Sequence, residues 1–98
     1  MIKLLRVENK RRRFKEEFVL VTTAYILIKT ATGFEKEILS KLKEFGSVEN
    51  ADLVYGLYDI IIKVRMNNSE ELDSFIFDVL RPMEGVVETM TCICIPEK

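Results

Sequence analysis

A short turn, Gly56-Leu57-Tyr58-Asp59, lies between two runs of strand-forming residues and constrains the fold more than any other stretch. The approach, Asn50 to Tyr55, contains Ala51-Asp52-Leu53-Val54-Tyr55, and the exit, Ile60 to Met66, begins Ile60-Ile61-Ile62-Lys63-Val64. Apolar and β-branched runs on both sides of a glycine-containing turn predict a β-hairpin. Gly56 suits a backbone with φ > 0, and Asp59 is suited to bonding local amides or presenting a carboxylate at the tip. The tip is expected to help bind whatever ligand the protein takes.

The flanking segments alternate in type. Phe18 to Thr30 is strand-forming throughout. Thr32 then suits a helix N-cap, with Glu35 three residues on completing a capping box. Phe34, Ile38, Leu42 and Phe45 fall on one face of that helix, and Gly46 is its expected stop. After the hairpin, Asn67-Asn68-Ser69 marks a second helix start, with Glu70 and Glu71 in the first turn where the helix dipole favours acid. Leu72, Phe75, Ile76, Val79 and Leu80 continue at helical spacing until Arg81-Pro82. Gly85 makes a turn, and Val86 to Ile95 predicts the last strand. The order β-α-β-β-α-β predicts an α+β, ferredoxin-like fold: a four-stranded antiparallel sheet with two helices on one face.

Ninety-eight residues make one domain, able to bury roughly 60–65% of the surface of the unfolded chain. No apolar run approaches the ~20 residues of a membrane span, and the charged N-terminus lacks a signal-peptide core, so a cytoplasmic location is expected. The chain has no histidine, which removes the commonest general base and the usual triads. A non-enzymatic role is expected, although carboxylates and tyrosine leave a catalytic route open. Cys92 and Cys94 are two apart in a strand and share a face. They are expected to be buried structural thiols; a Cys-x-Cys metal site would lack histidine to complete it. No metal or cofactor is expected.

The net charge of −1 hides an asymmetry. Residues 1–20 hold 7 basic and 3 acidic residues, a balance of +4, and the remainder holds 8 and 13, a balance of −5. Residues 1–17 are expected to be a basic N-terminal extension preceding a domain over 18–98. Its cluster Arg11, Arg12 and Arg13 suits a nucleic-acid phosphate contact, although the acidic body would repel nucleic acid.

Strand alternation predicts two sheet faces. Ile26, Ile28, Ile60, Ile62 and Val64 are expected to face the helices, and Tyr25, Leu27, Ile61, Thr89, Thr91 and Ile93 the other side, with Lys29 and Lys63. Two helices cover one side of a sheet, and the other is too apolar for water, so face-to-face homodimerisation is expected, with Tyr25, Leu27, Ile61 and Ile93 in the interface.

Ala24-Tyr25-Ile26-Leu27-Ile28-Lys29, the Gly33-Phe34-Glu35 helix start, Val54-Tyr55-Gly56-Leu57-Tyr58-Asp59-Ile60-Ile61 and Gly85-Val86-Val87-Glu88-Thr89-Met90-Thr91 resemble the effector-binding RAM module (regulation of amino acid metabolism) of Lrp/AsnC transcriptional regulators. The resemblance covers residues 22–95. Family regulators carry a helix-turn-helix domain ahead of this module, more than 1–17 supplies, so the chain resembles the stand-alone members, for which direct DNA binding is not expected. The resemblance implies an amino acid effector bound between dimers, rings of dimers such as an octamer or decamer, and full-length Lrp/AsnC regulators as partners. Gly56 would let backbone amides meet the ligand carboxylate, and Asp59 would pair with its ammonium group. Val54, Tyr55 and Tyr58 would shape the cleft, and Thr89 and Thr91 would supply hydroxyls.

Two other functions share this strand order. One is a small dimeric α+β-barrel enzyme of oxygenase or isomerase type, which needs a polar pocket between sheet and helices. The other is nucleic-acid binding through the basic arm.

Overall fold

The computed structural model describes the backbone of residues 2–8 and 14–95 and the side chains of 21–95. The chain opens with a two-stranded antiparallel ribbon, β1 (Ile2–Glu8) and β2 (Phe14–Leu20). Its backbone register sets Leu4 opposite Phe18 and Arg6 opposite Glu16. The strand predicted from Phe18 to Thr30 is therefore two strands, divided at Val21. No glycine or proline marks the division; the two parts differ only in what they pair with.

The main body follows as β3 (Thr22–Thr30), α1 (Glu35–Leu42), β4 (Val48–Leu53), β5 (Ile60–Met66), α2 (Ser69–Ser74) and β6 (Val86–Ile93). A π-helical segment, Phe75–Leu80, continues α2 without a break. The four-stranded sheet runs β4-β5-β3-β6 with every neighbour antiparallel, which is the ferredoxin-like arrangement. Among the described residues no helix is long and apolar enough to cross a membrane.

One face of the sheet carries the core. Ile26, Ile28, Ile60, Ile62 and Val64 are fully buried there with Ile38 and Leu42 of α1 and Leu72, Phe75, Ile76 and Leu80 of the second helix. This is the face that strand alternation predicts for β3 and β5. Phe45, beyond α1, meets the Phe75 ring edge-on at 5.6 Å and ties the two helices together.

The helix starts differ from each other. Asn68 caps α2: its Oδ1 accepts the Glu71 N–H (2.9 Å), and Glu71 Oε2 accepts the Asn67 N–H (3.1 Å), a reciprocal capping arrangement. Thr32 does not cap α1. The N-cap position is Phe34, without a side-chain bond, and Glu35 instead accepts the Gly33 N–H at 3.0 Å. The chain needs a left-handed residue at Gly33 (φ 96°), which carries Thr32 out of capping reach.

The last strand departs from expectation. Thr89 pairs with Ile28, Thr91 with Ile26 and Ile93 with Ala24. Directly opposed residues share a face, so these three lie on the helix side, and Glu88, Met90 and Cys92 share the helix-free face with Lys29, Leu27 and Tyr25. A register shift between Lys29 and Thr30, where Val86 rather than Val87 opposes Thr30, sets this phase. The buried thiols are also corrected: Cys92 is exposed and Cys94 half-buried, because β6 is an edge strand whose helix-free side is left open among the described residues.

Candidate functional site

The loop joining β4 to β5 is built by local chemistry and then fastened to the sheet. Gly56 takes φ 138°, open to glycine and strained for other residues. Val54 donates its N–H to the Asp59 carbonyl (2.9 Å), which closes the loop. Asp59 donates its own N–H to the Ile28 carbonyl (2.9 Å), the last ladder bond between β5 and β3. The Asp59 carboxylate then turns back to β3: Oδ2 accepts both the Thr30 N–H (2.8 Å) and the Thr30 hydroxyl (3.2 Å).

Beside this clamp lies a cleft of about 340 Å³, lined by Glu35, Leu53, Val54, Tyr55 and Asp59. Leu53 and Tyr55 expose apolar surface along it. Glu35 enters from the first turn of α1, held there because Phe34 packs on Gly85. A methyl group on Gly85 would stand 2.5 Å from Phe34 Cγ, and the Gly85 carbonyl accepts the Ala31 N–H at 2.7 Å. Two carboxylates and an apolar wall, with no basic side chain among the described lining residues, make a recess suited to an ammonium group attached to an apolar body.

Of the residues expected to bind a ligand, the structure brings Val54, Tyr55 and Asp59 together at this cleft, with Gly56 and Tyr58 in the same loop. It does not bring Thr89 or Thr91 to it. Thr89 lines a separate cleft of about 350 Å³ with Arg81, Val86, Val87 and Glu88, and Thr91 lines neither. Sequence reasoning missed Leu53, Glu35 and Thr30. Glu35 carried the signature of a capping residue, and Thr30 is 29 positions from Asp59, with no local pattern joining them.

On the helix-free face, Tyr25 is 42% exposed and Met90 48%, while Leu27 and Ile61 are half-buried. Lys63 stands 5.8 Å from the Tyr25 ring centroid, and Glu49 pairs with Arg65 at 3.0 Å and Lys63 at 3.7 Å. Ile93, expected on this face, is exposed on the other one. Arg11, Arg12 and Arg13 lie outside the described residues.

Comparison with known proteins agrees with this architecture. Residues 23–98 match the family described as the Lrp/AsnC ligand binding domain. The HTH-type transcriptional regulator FL11 of Pyrococcus furiosus is 40% identical over 70 residues, 71% of this chain and 46% of that protein. The chain thus spans about half the length of the curated relatives it matches. The crystal structure of FFRP-DM1 is 42% identical with a TM-score of 0.74, covering 76% of this chain and 99% of that one. The hypothetical protein PHS023 from Pyrococcus horikoshii is 42% identical with a TM-score of 0.73, covering 78% and 92%. The chain belongs to the Lrp/AsnC family of transcription regulators, as its ligand-binding (RAM) domain.

Proposed function

We propose that this chain binds an amino acid at the hairpin-tip cleft and, through assembly, modulates regulators of the Lrp/AsnC type. The observation that carries this reading is the cleft itself, where an anchored carboxylate, Asp59, meets the apolar wall of Leu53, Val54 and Tyr55. Asp59 pairs with the α-ammonium group, backbone amides around Gly56 take the α-carboxylate, and the wall receives the side chain. Thr89 and Thr91 supply hydroxyls from a neighbouring copy.

The helix-free face, with Tyr25, Leu27, Ile61 and Met90, joins two copies into a homodimer, and dimers assemble further into rings. Ligand shifts that assembly by its differential affinity for the assembled and free states. The same face offers a route to co-assembly with full-length regulators. Binding without catalysis is the favoured role, because the space between sheet and helices is filled by Ile26, Ile28, Ile38, Leu42, Ile62 and Leu80.

Calorimetric titration with each of the twenty L-amino acids, paired with light scattering, tests the proposal. At least one is expected to bind and to change particle size. Asp59→Asn is expected to weaken that binding about 10- to 100-fold, the range for a hydrogen bond to a charged group. Failure of all twenty at millimolar concentration overturns the amino acid reading.

A further inference from the structure

We infer that Thr30 is a positioning residue for the ligand site, holding the Asp59 carboxylate so that one oxygen bonds the protein and the other is left for a ligand ammonium group. This rests on the reading of the cleft proposed above.

The β3–β5 register pairs Ile28 with Ile60, and continuing it would put Thr30 opposite Tyr58. The chain has by then turned into the hairpin tip, so no backbone carbonyl of β5 meets the Thr30 N–H. The Asp59 side chain takes that place, with Oδ2 receiving the N–H at 2.8 Å and the hydroxyl at 3.2 Å. Two donors from one residue on one oxygen fix the plane of the carboxylate, which a single donor would leave free to rotate. Thr30 is only 8% exposed, so its hydroxyl gains little from water, and Asp59 is its partner in the protein. Asp59 Oδ1 accepts no hydrogen bond among the described residues, and Asp59 lines the cleft. A backbone N–H alone would satisfy the strand end; the added hydroxyl makes the acceptor directional.

The test compares Thr30→Val, which keeps shape and backbone but removes the hydroxyl, with Thr30→Ser, which keeps the hydroxyl. Thr30→Ala is the second hydroxyl-free variant should valine disturb folding. Each is titrated with the tightest of the twenty L-amino acids and with its α-hydroxy acid analogue, which lacks the ammonium group. Thr30→Val is expected to bind the amino acid about tenfold more weakly, with the hydroxy acid changed less than about twofold. Thr30→Ser is expected to stay within about twofold of wild type for both. Equal losses for both ligands would mean general loosening of the loop and would overturn the positioning role, as would unchanged amino acid binding in Thr30→Val. If the wild type binds none of the twenty, the cleft reading itself fails, a result distinct from either.

Discussion

Gly85 is the residue at which the smallest change has the largest expected effect. Its φ of 92° is costly for any residue with a Cβ, and that Cβ would collide with the Phe34 ring at 2.5 Å. Gly85→Ala is expected to lower stability by about 2–4 kcal/mol, combining left-handed strain with overpacking. Urea denaturation would register this as a lower midpoint at unchanged slope; an unshifted midpoint would show that Phe34 yields freely. Residues of this kind divide sharply in how legible they were. Gly56 and Asp59 announce themselves through turn chemistry, because the signal is confined to four neighbouring positions. Thr30 and Glu35 do not. Thr30 matters through a carboxylate 29 positions away, and Glu35 reaches the cleft only because α1 docks through Phe34.

At the scale of elements, the two helix starts give opposite predictions from similar sequences. Asn68→Ala removes the acceptor for the Glu71 N–H and is expected to cost about 1 kcal/mol. Thr32→Ala removes no helix cap, and a change below about 0.5 kcal/mol is expected. Denaturation of both variants checks this, and a larger loss at Thr32 would contradict the observed start of α1. The strands show the same contrast. In β3 and β5, Tyr25, Lys29, Lys63 and Arg65 fall at alternate positions between apolar residues and identify the buried face from sequence alone. In β6, Val-Val-Glu-Thr-Met-Thr-Cys-Ile contrasts weakly between alternate positions, so its phase depends on the register shift at Lys29 and Thr30. That shift is a property of the paired strands and cannot be read from either one alone.

At the scale of the molecule, the question is what covers the sheet face opposite the helices. Leu27→Glu places a charge in the middle of that face, and it is expected to weaken self-association about 100-fold while leaving the protomer folded. Sedimentation velocity against wild type reads this directly, with a monomeric wild type at micromolar concentration as the contrary result. The sequence by itself determined the βαββαβ order, the helix-facing core of β3 and β5 and the turn at Gly56 to Asp59, because periodicity, caps and turns act over a few neighbouring residues. Only the tertiary structure decided which face β6 presents, that Thr30 holds Asp59, and that Glu35 completes the cleft. Those outcomes depend on strand register and helix docking, which join residues far apart in the chain and leave no local signature.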